Sequence, residues 1–540
     1  MEMQEYVFHM GDRNLGSFFM LSKGEPSPQP IHQRLITAPT KTNVCGQLTL
    51  LYVEESAGTM VWSAEAPEEA AEAQRLYDAA RGRDSSRSPE DRPAMISRSP
   101  EEWKLIRAVL DDFQNDVPLL AYADWLTSQG SSQGEFIRVD REIDRTAPDD
   151  PRFTELNDRW ADLHCADIEK WFEPLSALNL FPYERIFWMD RGLICEVGIT
   201  DFELLTDRAE ELFAAVPFLR RLSFDCESVN IDELADIPQM AQIAALELGY
   251  LDVLPGQLEA LLHSPYLSSL VELDLDGNDD GTELVRVIVN SPVWPRLSHL
   301  CLQSCELDDE GLVLIAESEQ SQLRELRTSG DAITNSGLAA LGRMAHSSLE
   351  RLDLEGVCVS AEGIAAIQDA KWVPQLRSLT LKSMPVDKPC AEELAKLPLQ
   401  SLQQFDLRFS KLNDECVSII FNAGQLPVLE DLDLSYNLLT HDGIESLLNS
   451  PVAGHLKNLK LNSNAIGTNG ISAIAMTPNL NQLQTLELYG VDLDSEAAEV
   501  LASSQGLPRI TRIWLGDENR LTDADRERLI ARFGEETIQF

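Results

Sequence analysis

From about residue 219 to the C-terminus the chain restates one pattern of apolar and polar positions. The clearest copies are Leu270-Val-Glu-Leu-Asp-Leu275, Leu349-Glu-Arg-Leu-Asp-Leu354, Leu429-Glu-Asp-Leu-Asp-Leu434 and Leu456-Lys-Asn-Leu-Lys-Leu461. In each, apolar and charged residues alternate with the period of a strand, and a turn then leads into apolar residues at helical spacing. The first apolar residues of the copies are Leu219, Ile243, Leu270, Leu297, Leu323, Leu349, Leu376, Leu402, Leu429, Leu456, Leu483 and Ile510, spaced 24 to 27 residues apart. That period fits one strand plus one helix per copy, in about twelve copies.

Alternation sends the leucines inward and the residues between them to the opposite face of the sheet. The central outward column then runs Ser223, Glu247, Asp274, Cys301, Arg327, Asp353, Thr380, Asp406, Asp433, Lys460, Glu487 and Trp514. In the helical halves, Gly311, Gly337, Gly363, Gly443 and Gly470 recur just after polar residues able to cap a helix, as in Thr334-Asn-Ser-Gly. Asn278, Asn437 and Asn464, with Cys305 at the same repeat position, are expected to point inward and satisfy loop backbone groups. Val357 and Met384 interrupt that series.

Copies such as Leu434-Ser-Tyr-Asn-Leu-Leu-Thr-His-Asp-Gly-Ile-Glu-Ser-Leu-Leu resemble the ribonuclease-inhibitor-like class of leucine-rich repeat, over about residues 191–540. The fold class this implies is α/β: a solenoid with a curved parallel sheet lining a concave face and helices outside.

The chain ahead of the repeats divides into three. Residues 1–80 read as a small α+β segment of unassigned function, with a hairpin near Phe18, Phe19 and Met20, a strand over Leu48–Val53 and an Ala/Glu-rich helix over Ala66–Ala80. Residues 81–100 are polar and proline-broken, a flexible linker. Residues 101–190 are helical and include Leu119-Leu-Ala-Tyr-Ala-Asp-Trp-Leu and Gly134-Glu-Phe-Ile-Arg138. Over about residues 101–145 this resembles the bacterial repeat-companion domain, with Tyr122, Asp124, Trp125, Gly134, Glu135, Phe136 and Arg138 matching its pattern. That module typically precedes leucine-rich repeats, and the resemblance implies a bacterial, cytoplasmic setting and no known activity. Tyr122 and Trp125 are expected to share a helix face. Asp124, Glu135 and Arg138 form either a binding trio or, the favoured reading, an ion pair fixing two packed helices.

Charge narrows the choice of partner. With 90 acidic against 44 basic residues the formal net charge is −46, which argues against nucleic acid or an anionic membrane as the main partner and leaves a basic protein open. The same acidity also serves to keep a long solenoid soluble and monomeric. The nine cysteines show neither finger spacing nor a disulfide framework. With no basic start followed by an apolar run, and no long apolar stretch, the expected location is the cytoplasm.

Two patches of the outward face are candidate partner sites. Glu272, Asp274 and Asp276, with Glu247 one repeat earlier, form an acidic cluster that would take Lys or Arg of a partner, or weakly a Ca²⁺ ion, or else is simply a solvated face. Lys382 and Arg408 share one repeat position, while Phe409 and Tyr436 share the next, a hot-spot composition unless the rings pack on the loop rim. His299, Cys301 and Asp274 are the best catalytic candidates, yet an open sheet offers no sheltered pocket or oxyanion donors, so no catalytic, cofactor or metal residue is assigned. The function expected is an intracellular protein-binding scaffold. Regulation of an enzyme, in the manner of nuclease inhibitors or GTPase activators of this repeat class, is the alternative.

Overall fold

The computed structural model describes residues 98–540 apart from short stretches (148–149, 177, 179–186, 227–228, 319, 331, 345–347, 505 and 517), together with four strands near the N-terminus. The helix expected over Ala66–Ala80 and most of the linker expected over 81–100 lie outside the described residues. The chain separates into two compact units, Met1–Glu227 and Ser228–Phe540.

In the first unit, strands β1 (Glu2–Met10), β2 (Arg13–Ser22), β3 (Arg34–Thr37) and β4 (Thr49–Val53) form a sheet of order β1-β2-β4-β3. Phe18, Phe19 and Met20 fall in the second arm of the β1–β2 hairpin. Helices α1 (Pro100–Asp111), α2 (Asp116–Ser128), α3 (Gln133–Arg145) and α4 (Pro151–Ser176) follow. Ser99 and Asn115 cap α1 and α2 by accepting bonds from Glu102 N and Val117 N. Gly134 lets α3 lie against α2, because any Cβ there would strike the Ala123 carbonyl.

Tyr122 and Trp125 do share a face: their rings stack 6.0 Å apart at 12°, and Tyr122 is buried. Arg138 bonds Asp124 at 2.5 Å and Thr127 at 3.0 Å, tying α3 to α2. Glu135 does not join them; it takes Arg159 of α4 at 2.7 Å, so no binding trio forms. A two-residue turn, Arg191-Gly192, with φ of 56° and 76°, connects β5 (Phe187–Asp190) to β6 (Leu193–Ile199). After α5 (Glu203–Ala215), strand β7 (Arg221–Phe224) pairs parallel with β6.

The second unit carries the remaining repeat strands: β8 (Ala245–Glu247), β9 (Glu272–Asp274), β10 (His299–Leu302), β11 (Glu325–Ser329), β12 (Arg351–Glu355), β13 (Ser378–Thr380), β14 (Gln404–Asp406), β15 (Asp431–Asp433), β16 (Asn458–Lys460), β17 (Thr485–Glu487) and β18 (Arg512–Trp514). Each starts two residues after the first apolar residue of its copy. They form a parallel sheet in chain order, completed by β19 (Ile538–Gln539), with a helix or helical turn between successive strands. The inward residue of each strand, such as Leu273, Leu352, Phe405 and Leu459, is fully buried. Each contributes about 1.5–3 kcal/mol of burial. Among the described residues no helix is long and apolar enough to cross a membrane.

Two sets of polar side chains hold successive repeats in register. At the strand ends, Asn437 Nδ2 donates to the carbonyls of Leu407 and Leu434 at 2.9 Å, while its Oδ1 accepts from Ser410 N and Leu412 N at 3.1 and 3.0 Å. Asn278 and Asn464 likewise reach Leu248 O and Leu434 O, each at 2.9 Å. Cys305 donates to Leu275 O at 3.0 Å, as its repeat position requires. Two further members were not foreseen: Ser410, bonded to Leu381 O at 2.9 Å, and Asn519, bonded to Leu488 O at 2.7 Å. At the helix starts, Asp309 accepts from Thr334 N and Gly337 N of the next repeat at 2.7 and 2.9 Å, and Asp414 from Thr440 N at 2.8 Å. The recurring glycine has its reason here: a Cβ on Gly337 would stand 2.5 Å from the Asp309 carboxylate.

Replacing Asn437 by Leu strands two buried N–H groups and the Leu407 carbonyl, so unfolding by denaturant should show a loss of about 3 kcal/mol or more. Asn422→Leu, at an exposed helix end, is the control, expected within about 0.5 kcal/mol of the parent.

Candidate partner-binding face

Pairing of the strands settles which side chains stand beside one another on the face away from the helices. Glu247 lies opposite Asp274, Asp274 opposite Cys301, Cys301 opposite Arg327 and Arg327 opposite Asp353. The column continues through Thr380, Asp406, Asp433, Lys460 and Glu487 to Trp514 in the order the alternation predicts. Ser223, in the first unit, lies opposite Gly198.

The early sector is acidic. The face positions of β8 to β10, extended by one alternate residue past the strand where needed, are Ala245, Glu247 and Gly249, then Glu272, Asp274 and Asp276, then His299, Cys301 and Gln303, with no Lys or Arg among them. Glu272 and Asp274 of β9 and Asp276 just past it each turn to a different neighbour. Glu272 stands 3.8 Å from His299 Nδ1, and Asp274 Oδ1 turns back to accept from Asp276 N at 2.8 Å. Asp276 faces the Tyr250 phenol, and its charge pushes that phenol's pKa up. Among the described residues no three His, Cys, Asp or Glu side chains are gathered so as to hold a metal ion.

His299, Cys301 and Asp274 do not make a nucleophile. Cys301, expected to be exposed, is only 5% exposed, with Gln303 Oε1 as its hydrogen-bond acceptor. Burial, then the charge of Asp274, pushes its thiol up to about 12, so it stays protonated at neutral pH. The His299 ring is directed instead to Ser298 Oγ at 2.8 Å and toward Glu325 at 3.9 Å.

In the later sector the basic residues are paired within the sheet. Lys382 and Arg408 are not free cations: Lys382 Nζ meets Glu355 at 2.5 Å, and Arg408 holds Asp406 at 2.5–3.0 Å while reaching Asp433 at 3.3 Å. Similar pairs join Arg351 to Glu325 at 2.7 Å and Lys460 to Glu487 at 3.2 Å. Phe409 and Tyr436 stack at 4.3 Å and 12°, yet stay 44% and 42% exposed. The rings thus pack on each other and remain partly exposed.

Both aromatics have left-handed backbone, φ 57° and 58°. The repeat imposes that conformation just past the strand, where Gly277, Gly356 and Gly490 adopt it in other repeats. For a side chain other than glycine it costs about 1–2 kcal/mol. One stacked pair returns about 0.5–1.5 kcal/mol beyond what the rings gain by burial, and the position also holds Tyr250, Ser304, Ser383 and Ser463 with φ of 52–62° in other repeats. Sequence reasoning passed over Leu438 and Tyr250, which are 62% and 72% exposed, and the stack of Tyr489 on Trp514 at 5.8 Å. The signal for Leu438 was its large apolar side chain where Asp252, Glu306, Lys411 and Asp492 stand in other repeats.

Between the sectors lies a carboxylate in poor surroundings. Asp353 Oδ1 is buried without a hydrogen-bond partner, and Oδ2 accepts only a 3.3 Å bond from Gln303. Burial raises its pKa to about 6 against the lowering effect of Arg327. Asp433 is also shifted up, mainly by burial.

A family model described as Leucine Rich repeat matches residues 455–475, which span β16 and nearly all of the helix that follows it, Gly467–Met476. The matched copy is one leucine-rich repeat, and the other copies share its strand-and-helix unit and sheet register. No curated protein matches the chain. Among solved structures, the chain is similar to one described as the crystal structure of the Rad7 and Elc1 complex in yeast, at 16% identity and a TM-score of 0.44, covering 79% of this chain and 96% of that one. The leucine-rich repeats thus present an open strand face, and the candidate chemistry on it is recognition.

The raised pKa of Asp353 has a consequence for stability. The folded chain binds a proton there below about pH 6, whereas the unfolded chain does so only near 3.8, so the penalty is full above pH 6 and relieved as pH falls toward 4. Asp353→Asn should stabilise the fold by about 1–3 kcal/mol at pH 7.5 and have little effect near pH 4. Equal effects at the two pH values in thermal unfolding would contradict this assignment.

Proposed function

We propose that the chain is a protein-binding scaffold whose open leucine-rich-repeat face receives a basic partner protein. The observation carrying this reading is that face itself: a registered row of side chains in which Asp and Glu outnumber Lys and Arg, above a core that makes no use of them. Carboxylates held about 4.8 Å apart by the strand spacing repel one another unless a cation or water intervenes. A partner's Lys or Arg supplies the missing charge, and long-range attraction speeds encounter. Glu247, Glu272, Asp274 and Asp276 are the early contacts in this reading; Lys382, Arg408, Phe409 and Tyr436 are the later ones.

The helical module of residues 101–190, preceded by the segment 1–80 and the linker 81–100, serves in this proposal as the cap of a repeat domain spanning 191–540 or as a second docking site. Its likeness to the bacterial repeat-companion domain supports a cytoplasmic scaffold in a bacterium. The ribonuclease-inhibitor-like pattern of the repeats supports a monomer that acts through its concave face.

Glu272→Lys, Asp274→Lys and Asp276→Lys combined in the full chain should slow association with a captured basic partner by about tenfold at low salt and flatten its salt dependence. Asp442→Lys with Glu445→Lys, on the helical side, should change neither. Association kinetics across a salt series decide the matter. An unaltered salt slope in the triple variant refutes steering by this sector.

A further inference from the structure

We propose that Phe409, Tyr436 and Leu438, at the C-terminal edge of β14 and β15, form a ridge that docks a protein segment carrying an apolar side chain next to an arginine or lysine. This rests on the reading of the strand face as the partner surface and assigns the anchor and the chemistry of what it holds.

The ridge is apolar, exposed and rigid. Phe409 and Tyr436 stack face to face, and Leu438 follows two residues on. Their main chain is fixed by bonds from Phe409 N to Ser435 O, Tyr436 N to Asn462 O and Leu438 N to Leu412 O, at 3.2, 2.7 and 2.8 Å. Asn437, between two of them, is a buried member of the ladder. A partner meeting side chains already held in place loses little further freedom on binding, and aromatic anchors of this kind carry most of an interface's energy. The combination is local: the position of Phe409 and Tyr436 holds one further aromatic, Tyr250, whose repeat carries Asp252 at the position of Leu438, and it holds Ser304, Ser383 and Ser463 in other repeats.

The charge of the occupant follows from the strands beside the ridge. Asp406 and Asp433 share the single guanidinium of Arg408. Asp431, on the same face, has only the amides of Gln404 and Asn458 as hydrogen-bond donors among the described contacts. Asp433 is mostly buried, which disfavours its charge. A cation arriving beside the stacked rings would balance these carboxylates, while an acidic segment would be repelled. An arginine gains further from the faces of the rings.

The test pans random linear peptides displayed on phage against the full chain. The comparison variant, Phe409→Ser, Tyr436→Ser and Leu438→Asp together, places at each position a residue that other repeats carry there, so its fold is retained; circular dichroism and the thermal midpoint verify this. Enriched peptides should pair Leu, Ile, Phe or Trp with a neighbouring Arg or Lys. Their affinity should fall about tenfold or more on the variant and several-fold on Asp433→Asn. Enrichment of acidic peptides overturns the assigned chemistry. Peptides that bind the variant as well as the parent, but are lost on the Glu272, Asp274 and Asp276 lysine variant, overturn the ridge and leave the face reading standing. No enrichment on the parent, while a captured basic partner still depends on the early sector, overturns the ridge alone. If neither peptides nor partner depend on any face residue, both readings fall.

Discussion

Everything in the repeat unit depends on finding partners for the main chain where each strand ends. There the carbonyls of Leu248, Leu275, Leu381, Leu407, Leu434 and Leu488 point into a dry interior, and an unsatisfied one costs about 1–3 kcal/mol. Asn278, Cys305, Ser410, Asn437, Asn464 and Asn519 supply the donors. Each donor belongs to the repeat after its acceptor, so satisfying the backbone also joins neighbours. Val357 and Met384 break the series, while main-chain bonds between successive loops, such as Cys358 N to Ile333 O and Val386 N to Ser410 O, each at 2.8 Å, run on through those repeats. The ladder thus explains the fixed period.

Much of this was legible because it follows from periodicity. An alternating strand has two faces, and a period of 24 to 27 residues leaves one arrangement in which every copy buries its leucines, so the column from Glu247 to Trp514 could be written down directly. Asn519 escaped because its turn is one residue longer than those of Asn437 and Asn464, measured from the centre of each strand. Ser410 escaped because a hydroxyl does at that position what an amide does elsewhere. The rest was not legible for a different reason. Knowing that Lys382 and Arg408 stand on a face does not reveal where long, flexible side chains come to rest, and both lie along the sheet against carboxylates one strand over or two residues before. Cys301 shows the complementary failure, an outward position covered by longer neighbours.

Those cross-strand pairs change the electrostatic character of the face. On a surface, an isolated ion pair contributes little, in the range of about 0–1 kcal/mol. Their larger effect is on pattern, since the basic residues of β12 to β16 are mostly consumed within the sheet, so an incoming partner meets a net excess of carboxylate rather than alternating signs. Asp353 and Asp433, pushed up by burial, mark where that excess is least comfortable. The early sector, with His299 as its one basic side chain, lacks even this internal compensation.

A solenoid separates what folds it from what its partners recognise. Ladder and leucines point one way and outward residues the other, so face positions are free to change without disturbing the interior. For that reason the fold says little about the identity of a partner. The loop position just past each strand is the exception, because its left-handed backbone is imposed by the repeat and is satisfied at least cost by Gly, as at Gly277, Gly356 and Gly490. Phe409 and Tyr436 occupy it against that preference and remain partly in solvent. Tyr250, Ser304, Ser383 and Ser463 take the same conformation, so what sets Phe409 and Tyr436 apart is that two rings stack on each other from adjacent repeats, giving an apolar surface that the core does not use and a bound partner would cover.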